Sequence, residues 1–173
     1  MLMTRTDNNN NRRNLFRRLS GRDDVRRPPW SRASFLDLCT GCNACIDACP
    51  EGILSRGGGG YPELSFAQEG CSLCGDCATV CEPQAIQPAD SISEAFPWHA
   101  EVQPHCLALA GIHCQSCQDA CEWSAIRFPL KPGGRPPQPD IHLESCTGCG
   151  ACYSACPNQA ISLLTKEKDT AYV

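Results

Sequence analysis

The chain has 173 residues, of which sixteen are cysteine and only eleven are aromatic, while glycine and proline together contribute twenty-eight. That composition excludes a large conventional hydrophobic core, and the longest apolar run, Leu107 to Ile112, falls far short of the ~18 residues of a membrane span. The formal charge of −4 is unevenly spread: residues 1–34 hold nine arginines and three acids (+6), and the rest holds six bases and sixteen acids (−10).

The chain opens on this basic arm, residues 1–34. Within it, Arg12-Arg13-Asn14-Leu15-Phe16-Arg17-Arg18-Leu19 puts Leu15, Phe16 and Leu19 on one helical face with arginines around it. Local packing of an amphipathic helix is the plain reading. Arg12, Arg13, Arg17 and Arg18 are also candidate contacts for an acidic partner protein, and a weak contact with an anionic membrane surface stays open. Twin arginines with a following Phe look like an export signal, but such a signal needs 7–15 apolar residues next. Here Arg17, Arg18, Ser20, Gly21, Arg22, Asp23 and Asp24 follow, so retention in the cytoplasm is expected. One Phe, one Trp and no recognised binding motif give nucleic acid no support as a partner.

Four groups of four cysteines come next. Group one is Cys39, Cys42, Cys45 and Cys49; group two is Cys71, Cys74, Cys77 and Cys81; group four is Cys146, Cys149, Cys152 and Cys156. All three read C-x₂-C-x₂-C-x₃-C. Group three, Cys106, Cys114, Cys117 and Cys121, keeps the last two spacings but has seven residues in its first interval. Three thiolates at i, i+3 and i+6 wrap one corner of a cube, and the fourth reaches a second cube: this is the bacterial-type pattern for paired 4Fe–4S clusters. Zinc sites favour two C-x₂-C pairs separated by a long spacer. Disulfides between such close cysteines would close small strained rings. Both remain minor alternatives.

The group separations divide the chain into two tandem modules, residues 35–88 and 102–173 (the latter with a C-terminal tail), joined by a linker at 89–101. In each module a glycine-rich turn separates the two groups: Arg56 to Pro62 in the first, Lys131 to Pro137 in the second. Tyr61, Leu64 and Phe66 supply alternating strand positions, mirrored by Pro139, Ile141 and Leu143. A short helix is expected to begin at each fourth cysteine, with Pro50 and Pro157 in its first turn. After each fourth cysteine a small residue and an isoleucine recur, at one offset in Ala85-Ile86, Ala125-Ile126 and Ala160-Ile161 and one place earlier in Gly52-Ile53. Core packing is the reading of these isoleucines. The fold class is α+β, small and loop-rich: two bacterial-type dicluster ferredoxin modules folded around iron–sulfur clusters.

The order of an Arg-rich start, Arg27-Pro28-Pro29-Trp30, an intact group, the Arg56 to Pro62 loop, a second intact group, a stretched third and an intact fourth resembles the NapF family. These are ferredoxin-type accessory proteins of periplasmic nitrate reductase systems. The resemblance covers almost the whole chain. It implies a cytoplasmic protein that binds the catalytic subunit of periplasmic nitrate reductase and assists its maturation or activation before export. It also implies no catalysis of its own; the alternative is a general electron-transfer ferredoxin or a subunit of a redox complex. The crossed ferredoxin rule assigns Cys39, Cys42, Cys45 and Cys81 to one cluster, and Cys49, Cys71, Cys74 and Cys77 to another. It assigns Cys121, Cys146, Cys149 and Cys152 to a third, and Cys106, Cys114, Cys117 and Cys156 to a fourth. Three or four clusters follow, four being favoured, with Cys106 turning on how the Leu107 to His113 stretch loops out. His105 and His113 beside that stretch are read as ordinary exposed side chains. Gly57 to Gly60 lacks the Lys-Ser/Thr pair of a phosphate loop.

Overall fold

A computed structural model describes residues 25–130 and 136–166. The arginine cluster Arg12 to Arg18, most of the second glycine-rich loop and the last residues lie outside them. The elements are short, as the glycine, proline and cysteine content requires. In chain order they are α1 (Phe35–Leu38), α2 (Ala44–Asp47), β1 (Leu54–Arg56), β2 (Pro62–Leu64), α3 (Asp76–Thr79), β3 (Trp98–Val102), α4 (Ser116–Asp119), β4 (Ile126–Arg127), β5 (Asp140–Ile141), α5 (Ala151–Ser154) and β6 (Ile161–Thr165). The protein is a small, loop-rich α+β fold.

The two halves repeat one plan. In the first, β1 and β2 form an antiparallel hairpin in the register Leu54–Leu64. The chain entering that half is tied to the chain leaving it by an antiparallel bridge, Ser31 to Ile86. In the second, β4 pairs with β5, and β3 pairs with β6 over five positions from Trp98–Thr165 to Val102–Ile161.

Several expectations need correction. No helix begins at a fourth cysteine among the described residues: α2, α3, α4 and α5 each enclose the third cysteine of a group and end before the fourth. Pro50 and Pro157 therefore sit in the turn after a helix, where a residue that cannot continue the ladder is equally at home. That turn is closed by a residue at positive φ three places after each fourth cysteine: Gly52, Gln84, Ser124 and Gln159. It delivers Ile53, Ile86, Ile126 and Ile161, all buried, to the core.

In β2 the inward residues are Pro62, Leu64 and then Phe66, so Tyr61 is out of step and only half-buried. Leu143 is 55% exposed, because β5 ends at Ile141 and the chain turns away. Residues 89–101 are more than a tether: they hold most of β3, and Ala95, Phe96, Trp98 and Ala100 are buried. The end of the basic arm is likewise docked. Trp30 is buried, its backbone N–H donates to the Ala95 carbonyl (2.8 Å), and the Arg27 guanidinium lies over the Phe35 and Tyr61 rings.

The halves meet through close backbone approaches. The Cys71 N–H donates to the Cys149 carbonyl at 2.7 Å. A Cβ on Gly70 would lie 2.6 Å from the Ala151 backbone. Phe66, Phe96 and Trp98 make a cluster of rings, with Phe96 and Trp98 stacked at 4.9 Å. The Trp98 indole N–H donates to the Gly148 carbonyl at 2.9 Å.

Candidate metal centres

Each cysteine group is a loop that turns around its own first three sulfurs. In groups one, two and four the turn is made by two residues in the left-handed region: Gly41 and Asn43, Leu73 and Gly75, Gly148 and Gly150. Left-handed residues between right-handed ones point successive N–H groups inward, the backbone concavity that holds anions and iron–sulfur clusters. Group three is built differently. Gln115, at the position of Asn43, has φ −135°, and the positive φ falls on Gly111 within the longer loop.

The fold brings the fourth cysteine of each group to the other group of its half. Cys39 and Cys45 lie near Cys42 and Cys81, and Cys77 near Cys71, Cys74 and Cys49. Cys117 lies near Cys106, Cys114 and Cys156, and Cys152 near Cys149, Cys146 and Cys121. The quartets gathered are thus the crossed ones. The eight-residue reach from Cys106 to Cys114 is spanned by hydrogen-bonded turns, Ala110 N to Cys106 O and Ile112 N to Leu107 O, which return the chain to the quartet. His105 is exposed, with its ring nitrogen on the Gln159 carbonyl at 3.2 Å; His113 and His142 are exposed and His99 half-buried.

Two quartets line open apolar pockets. One, of about 320 Å³, is bordered by Cys49, Cys71, Cys74 and Cys77 together with Pro29, Ile53 and Leu54. The other, of about 330 Å³, is bordered by Cys106, Cys114, Cys117 and Cys156 with Phe128 and Ile161.

Burial raises the thiols above their ordinary range. Desolvation is the leading cause, followed by neighbouring sulfurs, with Cys45 and Cys117 pushed to about 11 and Cys77 to about 12. Cys71 also reaches about 11, burial outweighing the Leu73 backbone N–H that opposes it. Cys39, Cys149 and Cys152 move the same way. Backbone N–H groups already point at sulfur: Leu73 to Cys71 (3.4 Å), Ala100 to Cys146 (3.5 Å) and Ala160 to Cys156 (3.2 Å). Four clustered thiols, inward N–H groups and an apolar wall fit 4Fe–4S clusters. Among the described residues no three His, Cys, Asp or Glu side chains converge as they would around a single ion.

The quartets form a row. Cys77 of the second lies near Cys45 of the first, Cys71 near Cys149 across the junction, and Cys152 near Cys117 in the outer quartet of the second half. The contacts across the junction were missed in sequence. Gly70, Phe96 and Trp98 carry no periodic signal, Phe66 reads only as a strand position, and the residues they meet at Gly148, Gly150 and Ala151 lie fifty or more residues away.

The 4Fe–4S dicluster domain family matches residues 38–90 and 112–160, a span that leaves out Cys106. The ferredoxin-type protein NapF of Escherichia coli (strain K12) is 41% identical over 138 residues, which are 79% of this chain and 82% of that protein. The NapF of Haemophilus influenzae is 39% identical over 141 residues, 79% of this chain and 77% of the relative. The methylamine utilization ferredoxin-type protein MauM of Paracoccus denitrificans is 33% identical over 147 residues, 75% of this chain and 66% of the relative.

Proposed function

The chain belongs to the NapF family of ferredoxin-type proteins, built on the 4Fe–4S dicluster domain, and from that premise we propose a specific task for it. It acts in the cytoplasm, binds the catalytic subunit of periplasmic nitrate reductase, and assists the maturation or activation of that subunit before export. It does so as an electron carrier with four clusters. The two modules are residues 35–88 and 102–173, the second gaining β3 at its N-terminal edge. Arg12, Arg13, Arg17 and Arg18 are the proposed contacts with the partner.

When bound, 4Fe–4S clusters supply one-electron redox chemistry. The chain's own residues do the rest. The four crossed quartets hold the iron, with Cys106 completing the last. The inward N–H groups on Cys71, Cys146 and Cys156 stabilise negative charge on sulfur. The buried isoleucines and the aromatic cluster exclude water from the inner sites.

The observation that carries this reading is the row of quartets, closed across the junction by Cys71 and Cys149. A row with sites near both ends suits passage of electrons from a donor to a bound acceptor. Exposed Cys42 and Cys74 put two sites within reach of a partner surface.

The test is an anaerobic pull-down of the reductase catalytic subunit, purified without its cofactors, on the cluster-loaded protein. Intact chain is compared with a form lacking residues 1–24 and with one in which Arg12, Arg13, Arg17 and Arg18 are alanine. Truncation stops there because Arg27 and Trp30 belong to the packed body. Capture by the intact chain and loss on removing the arginines is the expected result. No capture by intact, loaded protein refutes the partner assignment and leaves the general electron-transfer ferredoxin.

A further inference from the structure

Groups one and four share the motif Cys-Thr-Gly-Cys, at Cys39 to Cys42 and Cys146 to Cys149. The same four residues meet different surroundings. Around group one the loop is covered mainly by the glycine turn, with Gly41 against the Gly60 carbonyl, and Thr40 is exposed. Around group four the loop is enclosed by the aromatic cluster. A Cβ on Gly148 would lie 2.6 Å from the Trp98 carbonyl oxygen and 3.1 Å from the Phe96 Cβ, and one on Gly150 would enter the Phe66 ring. Thr147 is consequently only 5% exposed.

A buried hydroxyl without a partner is costly, on the order of 1–3 kcal/mol, so such groups call for an explanation. The Thr147 Oγ1 is buried and no protein group completes a hydrogen bond to it. It stands in the loop between Cys146 and Cys149, beside the Cys149 sulfur two residues on. Cys149 is also the residue whose carbonyl receives the Cys71 N–H across the junction.

We propose that Thr147 is a potential-setting residue: its buried hydroxyl donates a hydrogen bond to the ligand sulfur of Cys149 and makes the cluster held by Cys121, Cys146, Cys149 and Cys152 easier to reduce than burial alone would allow. The inference rests on the assignment of those four cysteines to a cluster. The physical reason is one of charge. Uptake of one electron from a chemical reductant such as dithionite adds negative charge to the cluster and its thiolates, without transfer of the hydroxyl proton. Enclosure by Phe66, Phe96 and Trp98 opposes that added charge, and an O–H donor to sulfur offsets it. Thr40, open to solvent in the same motif, has water for a partner and sets nothing. The two CTGC loops thereby become unequal sites at different places in the row.

The experiment is a potentiometric titration of the anaerobically purified full chain, followed by electron paramagnetic resonance, on wild type, Thr147→Val, Thr147→Ser and Thr40→Val. Thr147→Val keeps the shape and removes the donor. It is expected to lower the reduction equilibrium of one cluster about tenfold, which is 59 mV for a one-electron couple. Thr147→Ser restores the wild-type value, and Thr40→Val leaves every cluster unchanged. Iron content is measured on each sample. Normal iron with unmoved potentials in Thr147→Val overturns the inference and leaves the cluster assignment standing. Absence of iron from the wild-type site overturns both. Should Thr147→Val load poorly, Thr147→Ala makes the same deletion without added bulk. Loss of the cluster from both, with Thr147→Ser loading normally at an altered potential, also overturns the inference.

Discussion

Gly70→Ala tests the junction between the two modules with the smallest perturbation available. A Cβ at this position would sit 2.6 Å from both the nitrogen and the Cα of Ala151, and 2.8 Å from its Cβ. Carbon atoms pack at ~3.5–4.0 Å, so the two backbones must separate by roughly 1 Å. Neither can yield cheaply, because the next residue along, Cys71, donates its N–H to the Cys149 carbonyl at 2.7 Å. Overpacking costs about 1–3 kcal/mol, and losing a hydrogen bond in the same place adds about 1. The sum, about 2–4 kcal/mol, corresponds to roughly 4–16 °C in apparent Tm for a chain of this size. The assay is anaerobic melting followed by cluster absorbance and circular dichroism at one fixed scan rate, since cluster loss makes unfolding irreversible. Gly75→Ala is the comparison. Its Cβ meets nothing within 4 Å, but its φ is +83°, so it incurs only the left-handed strain of about 1–2 kcal/mol. Gly70→Ala melting at or above Gly75→Ala would refute the close approach, and with it the continuity of the row of sites.

Three further outcomes follow from the same geometry. Cys106→Ala should lower the iron content by about four atoms per chain, one cluster's worth, while the other three sites stay loaded; unchanged iron removes Cys106 from the ligand set. Ser124→Gly should raise the apparent melting temperature, by roughly 0.5–1 kcal/mol of stability, because Ser124 holds φ +50° where Gly52 serves the equivalent turn; a fall in Tm would show that the serine is not strained. Loading of iron near neutral pH should release protons, measurable in weak buffer, because Cys45, Cys71 and Cys117 titrate at about 11 and Cys77 at about 12. The sign follows from the raised values: the iron-free fold is favoured below pH 9 and loses that contribution as pH rises through 11 to 12, while proton competition with iron grows as pH falls. Proton-neutral loading would mean that the thiols are already ionised.

The grouping of the cysteines was legible in the sequence and the architecture only partly so. The interval between cysteines constrains a short loop almost completely, so the crossed quartets and the two-module repeat could be read from spacing. The offset isoleucines could be read too, because they follow the same turn four times. The helix positions could not. A proline directly after a cysteine looks like the first residue of a helix, yet Pro50 and Pro157 stand just past one, and both places suit a residue with no N–H. The segment 89–101 read as a linker because Pro97 and its acids mask two buried aromatics. Phe96 and Trp98 earn their burial only from Phe66, Gly148 and Gly150, and no local pattern announces such partners. The burial of Thr147 was hidden for the same reason, since Thr40 stands in an identical motif and is exposed.

The central claim, that four crossed cysteine quartets each hold a cuboidal iron–sulfur core, is tested most directly by Mössbauer spectroscopy with iron and acid-labile sulfide counts on anaerobically prepared full-length protein. The account predicts four 4Fe–4S centres per chain, with iron and sulfide in equal amounts. A colourless protein that binds zinc in place of iron, or that folds with no metal at all, would contradict it.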